Sequence, residues 1–198
     1  NHAVMMGMPK TTPLMDQFYE LADRWAKYPG ELVWVDNPPC QEVVLDKFNL
    51  IEDIPVFKVN HYDGGFYSSK ATVVSKDPDD PDNVDKENCG IYRLAYLDAT
   101  TMSMQGLPFH DIAIHLRKAE ERGENLPIAI CLGVDPMLSF MSSTPLNYDQ
   151  SEYKMTAALN KMPMRLAKTT DGYLDVPAGA EYVLEGEILG RQRICEGP

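Results

Sequence analysis

Between Pro13 and Gly30 the apolar residues Leu14, Phe18, Leu21, Ala22 and Trp25 recur at helical spacing, the rhythm of an amphipathic helix. Pro13 suits the first turn, and Pro29-Gly30 ends the pattern. This stripe is expected to pack into the core. The pattern then shortens. Residues 32–35, 42–45 and 54–59 read as strands, with Pro55 favouring an edge. Asp63-Gly64-Gly65 makes a turn, 66–76 a strand, and 91–97 another. His110 opens a helix that carries Ile112, Ala113, Leu116 and Ala119 on one side and stops at Gly123. In 126–132 the run Ile128-Ala129-Ile130 is continuous rather than alternating, as in a strand buried on both faces. A short helix follows Gly133-Val134-Asp135-Pro136 and reaches Met141, and 152–159 form another. Strands at 164–167, 174–176 and 181–189 complete the chain. Helices do not alternate strictly with strands, so a doubly wound fold is disfavoured. The expectation is an α+β fold, mainly β: a closed or split β-barrel with peripheral helices.

Composition narrows the function. The formal net charge is -12, which sets nucleic acid aside as a partner but leaves room for a small anion at a local basic site. No apolar run has the length of a membrane span, and the first residues lack a signal-peptide pattern. Cys40, Cys89, Cys131 and Cys195 are isolated, which argues for buried reduced thiols in a cytoplasmic protein. The stretch from Asp77 to Glu87 repeats Asp-x-Asp, but its prolines do not suit a calcium loop. It reads as a solvated hairpin loop. Cys195-Glu196-Gly197-Pro198 and the missing initiator Met suggest a fragment.

The chemistry centres on Asn88-Cys89-Gly90-Ile91-Tyr92-Arg93. As a strand it places Asn88, Gly90 and Tyr92 on one face, and Cys89, Ile91 and Arg93 on the other. Arg93 can take a planar carboxylate, or it is an exposed arginine paired with an acid. Asn88, His110 and Glu152 supply an amide oxygen, an imidazole and a carboxylate. Such a set suits a hard or borderline divalent ion. Equally, Asn88 can be a turn residue, His110 a cap and Glu152 a surface acid. Glu196 stands in a rigid Glu-Gly-Pro turn and is a candidate proton donor.

A family pattern then emerges. Ile54-Pro55-Val56, Asp63-Gly64-Gly65 and Val73-Val74-Ser75-Lys76-Asp77-Pro78 precede the Asn88–Arg93 stretch. After it come Leu126-Pro127-Ile128-Ala129, Gly133-Val134-Asp135-Pro136, Thr144-Pro145-Leu146, Asp175-Val176-Pro177-Ala178 and Glu196-Gly197-Pro198. In this order, from about Val43 to the last residue, the chain resembles the central part of UbiD-type decarboxylases that use prenylated flavin mononucleotide. It is most similar to the branch acting on hydroxylated benzoic acids. The resemblance implies a split β-barrel of flavin-reductase type over 43–198, preceded by a partial N-terminal or linker segment with one helix at 1–42. It implies Mn²⁺, and also K⁺, with Asn88, His110 and Glu152 as the Mn²⁺ ligands that grip the cofactor phosphate. Arg93 and Glu196 match the catalytic network. Gly90, Ile91, Ser142, Ser143, Thr144 and Pro145 match the cofactor-lining segments. The partners implied are a small aromatic carboxylic acid, the missing domains of the full-length chain, and further copies in a homo-oligomer. In the family the Glu-Gly-Pro motif continues with Phe-Gly-Glu; here that continuation is missing, so this piece is expected to lack activity by itself. Two alternatives are a plain flavin reductase-like domain and a folded fragment that binds no cofactor.

Overall fold

The computed structural model describes residues 2–195. In chain order the elements are α1 (His2–Met5), α2 (Leu14–Trp25), β1 (Leu32–Trp34), β2 (Phe66–Ser68), β3 (Thr72–Lys76), β4 (Glu87–Ile91), β5 (Leu94–Tyr96), β6 (Met102–Met104), α3 (Asp111–Arg122), β7 (Leu126–Leu132), α4 (Pro136–Met141), α5 (Glu152–Asn160), β8 (Met164–Lys168), β9 (Asp175–Pro177) and β10 (Tyr182–Ile188). Three sheets form among the described residues. The central one has the order β10-β7-β3-β4, and the others are β1-β8-β9 and β2-β5-β6. Only β1 and β8 pair in parallel. None of the three sheets closes on itself. The fold is therefore mixed α+β and mainly sheet, as the pattern implies.

The continuous apolar run of β7 has a direct cause. Ala129 and Cys131 join one core cluster with Val74, Cys89, Leu138, Tyr153 and Leu166. Ile128 and Ile130, on the opposite face, join another with Val73, Tyr92, Leu94, Ile112 and Ala119. Alternate side chains thus enter separate cores, so both faces must be apolar. Each such Leu or Ile burial contributes about 1.5–3 kcal/mol. A third cluster is built from methionines Met6, Met137, Met141 and Met155, whose unbranched side chains fill the gap under the N-terminal segment. Helix ends follow local chemistry. Gly123 takes φ 77° to close α3, Asp135 accepts from the Met137 and Leu138 amides at the start of α4, and Ser151 accepts from Lys154 at α5.

A buried ionic joint ties the central sheet to the β1-β8-β9 sheet. Lys76 Nζ lies 2.9 Å and Lys168 Nζ 2.8 Å from the Asp175 carboxylate, which also accepts from Trp34 Nε1 at 2.7 Å. Glu87 accepts from the Asp175 amide at 2.9 Å.

Several expectations change. Residues 42–45 and 54–59 form no strand, and Val43, Val44 and Leu45 are exposed. Their apolar character finds no pairing edge or core cluster among the described residues. The 66–76 stretch breaks into β2 and β3, which belong to different sheets. The 91–97 stretch likewise breaks at Tyr92-Arg93 as the chain leaves the central sheet. The stripe of α2 packs into the core only at its end: Leu21 and Trp25 lie half-buried against the methionine cluster, whereas Leu14 is 72% and Phe18 59% exposed. The buried residue there is Arg24. Its guanidinium donates to Leu159 O at 2.6 Å and Met6 O at 2.8 Å, satisfying carbonyls that no backbone amide reaches. The 77–87 hairpin loop is present, but Asp77 at its base is buried. Of the cysteines, Cys89 and Cys131 are buried, Cys40 is half-buried and Cys195 is exposed.

Candidate functional site

The site gathers where β4 meets the loop after α4 and the start of α5. Asn88 and Glu152, 64 positions apart in the numbering, come together because Glu152 Oε2 accepts the Cys89 backbone amide at 3.2 Å. Asn88 is 8% and Glu152 7% exposed, so neither is the turn or surface residue of the alternative reading. Both line a narrow polar recess shared with Glu87, Asp111, His115 and Tyr148. Burial pushes the Glu152 carboxyl up to about 8; its own amide and that of Cys89 oppose the rise, and Asp111 adds to it. Among the described residues no cation pairs with Glu152. His115 is neutral there: burial lowers it to about 4. Its Nδ1 meets Ser75 Oγ at 2.9 Å, while its Nε2 has no partner among the described residues.

His110 stands beside this pair rather than in the recess. It is the residue preceding α3, yet its imidazole does not cap the helix. Nδ1 instead takes the Leu107 amide at 3.3 Å. The ring lies 5.5 Å from the Tyr92 ring, whose hydroxyl accepts from Asn88 Nδ2 at 3.3 Å. Tyr92 therefore links His110 to Asn88. A metal at His110 would compete with the long Leu107 bond.

The cofactor-lining segments are brought together by one bond: Ile91 N donates to Ser142 O at 3.0 Å. The Ser142 hydroxyl is also 3.4 Å from Thr72 Oγ1 and donates to Leu138 O. Gly90 and Ser142 are buried, Ser143 and Pro145 exposed, and Ile91 and Thr144 between. The two segments lie side by side, with the Tyr92 side chain over Gly90. Arg93 is exposed at the turn out of β4, its guanidinium 5.7 Å from the Tyr67 ring. Glu196 lies outside the described residues.

The oxygen donors at hand are of the kind a divalent cation takes. The Glu152 carboxyl is buried and pairs with no cation among the described residues, and the Asn88 amide nitrogen is already engaged by Tyr92, which leaves Asn88 Oδ1 as its free donor atom. Among the described residues no three His, Cys, Asp or Glu side chains converge in ligating geometry. The candidate set has only two of that kind, so it depends on Asn88 and on oxygens from a bound anion. Sequence reasoning missed Tyr92, Asp111 and His115. Tyr92 alone carried a signal, its i, i+4 relation to Asn88 along an extended strand.

Comparison with known proteins gives a consistent set of relatives. Residues 31–198 match the family model described as UbiD, 3-octaprenyl-4-hydroxybenzoate carboxy-lyase Rift-related domain. The chain is 48% identical over its whole length to a phenolic acid decarboxylase of Bacillus subtilis, and covers 42% of that protein. Vanillic acid decarboxylase of Sedimentibacter hydroxybenzoicus in its closed form superposes with a TM-score of 0.95 at 46% identity, over all of this chain and 42% of that one. The UbiD-class enzyme HmfF of Pelotomaculum thermopropionicum, in complex with prenylated flavin mononucleotide, gives 0.86 at 30% identity, over 99% of this chain and 44% of that one. The chain thus spans about two-fifths of the length of these relatives. No helix among the described residues is long and apolar enough to cross a membrane.

Proposed function

Because the chain belongs to the UbiD family of carboxy-lyases, we propose that it is the cofactor-binding part of a non-oxidative, reversible decarboxylase of hydroxylated aromatic acids. Residues 43–198 are assigned to the cofactor-binding unit, a split barrel of flavin-reductase type, to whose β8 the strand β1 of the 1–42 segment adds in parallel. The observation that carries the proposal is the buried Glu152 carboxyl, which accepts the amide of Cys89 next to Asn88 and pairs with no cation among the described residues. Asn88, His110 and Glu152 would hold Mn²⁺, with K⁺ as a second ion, against the cofactor phosphate; the metal would bring positive charge to an otherwise acidic protein. The prenylated flavin supplies the electron sink for the ring carbon that loses CO₂. Gly90, Ile91 and Ser142 to Pro145, joined by the Ile91–Ser142 bond, would line the cofactor. Arg93 would hold the substrate carboxylate, and Glu196 would orient Arg93. The substrate would be a small aromatic acid, and the full-length protein a homo-oligomer.

Absorbance titration of the full-length protein tests this. Prenylated flavin should bind with a spectral shift that requires Mn²⁺, and Glu152→Gln should remove the metal requirement together with tight binding. Binding of ordinary flavin, equally tight with or without metal, would replace the proposal with a flavin reductase-like one. Failure of every flavin to bind would leave only a folded unit.

A further inference from the structure

Tyr92 is buried, 6% exposed, between two of the three proposed ligands. Its hydroxyl oxygen accepts from Asn88 Nδ2 at 3.3 Å, and its ring lies against His110 at 5.5 Å between centroids. In this contact the Asn88 nitrogen donates, so the hydroxyl oxygen is the acceptor toward Asn88. An acceptor there fixes the amide: nitrogen toward Tyr92, Oδ1 toward the recess. Rotating the amide by half a turn would present –NH₂ to a cation, which it cannot bind.

The backbone makes this reach possible. Asn88, Gly90 and Tyr92 alternate onto one side of the chain. A Cβ built on Gly90 would collide with the Tyr92 hydroxyl and ring. The glycine leaves the hollow through which the Tyr92 ring folds back to Asn88. Ring contact with His110 then sets the start of α3 against β4.

We infer that Tyr92 is a positioning residue for the metal, holding the Asn88 amide oxygen-inward and steadying the His110 ring. The inference rests on the proposed Mn²⁺ site. Partners that orient ligands in this way typically change metal affinity by about 10–100-fold when removed.

The test uses full-length protein prepared without prenylated flavin, with FMN present as the phosphate-bearing probe, and Mn²⁺ binding read by electron paramagnetic resonance. Asn88→Ala and Glu152→Gln test the underlying site, and both should lose Mn²⁺. Tyr92→Phe keeps the ring and the fold; it should weaken Mn²⁺ by about 10-fold or more and alter the bound-metal spectrum. Asn88→Asp supplies the decisive comparison. Its two ends are both oxygens, so orientation no longer matters, and adding Tyr92→Phe to it should change Mn²⁺ affinity less than 2-fold. A Tyr92→Phe effect of equal size in both backgrounds, or none in the wild type, overturns the inference while leaving the site intact. Mn²⁺ binding unaffected by Asn88→Ala and Glu152→Gln, or absent from the wild type, overturns both.

Discussion

Asp77→Asn tests how the ligand-bearing elements are held together. Asp77 follows β3 at the base of the β3–β4 hairpin and is 1% exposed. Both of its oxygens lie 2.7 Å from Lys118 Nζ on α3, and one accepts from the Tyr148 hydroxyl at 2.8 Å. The pair therefore clamps the helix that begins after His110 to the hairpin that carries Asn88. Burial alone would raise the Asp77 carboxyl, but the Lys118 ammonium, the Asp79 amide and the Tyr148 hydroxyl hold it down at about 2, against an ordinary 3.8. At about 1.36 kcal/mol per pH unit the difference corresponds to at most about 2.4 kcal/mol. Lys118 is 24% exposed, so solvent screens part of this and about 1–2 kcal/mol is expected. A depressed acid stabilises above its unfolded value and loses that contribution as pH falls through its folded value. The effect is full at pH 7, roughly halved near pH 3 and gone below 2. Asparagine keeps the volume and a contact to Tyr148 while removing the charge. Urea unfolding followed by tryptophan fluorescence should show Asp77→Asn about 1–2 kcal/mol less stable at pH 7, the gap narrowing by about half at pH 3. Lys118→Met should cost more than Asp77→Asn, since it strands a buried carboxylate, and the double variant should cost less than the sum. A gap independent of pH, or additive single costs, would refute the clamp.

Two further outcomes are expected. Glu87 is 1% exposed and lies beside Asp175, and burial raises its carboxyl well above the ordinary range. A raised acid loses its contribution as pH climbs above its unfolded value, so Glu87→Gln should remove a fall in stability that wild type shows as pH rises above the ordinary glutamate range, by chemical denaturation. Phe18→Ser on the exposed face of α2 should change the stability of this chain by less than about 0.5 kcal/mol, where a core phenylalanine would cost several.

Periodicity located α3, β7, α5 and β10 well because each is settled by its own neighbours. A double-faced apolar run, a glycine in the left-handed region and a serine cap are local instructions. The misread segments are those where apolar residues carry no such instruction. Leu14, Phe18, Val43, Val44 and Leu45 have the side chains of a core but stay exposed among the described residues. Spacing reports that a face is apolar and not what covers it. Arg24 shows the reverse failure: a charged residue on the polar side of the helical pattern is buried because distant carbonyls of Met6 and Leu159 need donors. Contacts of that kind depend on tertiary placement, to which local periodicity is blind.

The site was legible to a different depth. Asn88, His110 and Glu152 came from matching residue types to a family pattern; in the structure Glu152 accepts the amide of Cys89, next to Asn88, and shares a recess with Asn88, while His110 stands outside it. What remained hidden is why they can work together. A carboxylate at Glu152 is costly to bury without an opposite charge, and an amide at Asn88 is ambiguous until one end is claimed. With Glu152 raised to about 8 by burial, a cation at the site would take the place of its proton and call for a further oxygen donor. The Tyr92 hydroxyl, admitted by the missing side chain of Gly90, decides which atom of Asn88 answers it. In sequence this is only the spacing Asn-x-Gly-x-Tyr. It becomes chemical information once the three are known to share a face, since the middle residue's emptiness is then what lets the outer two touch.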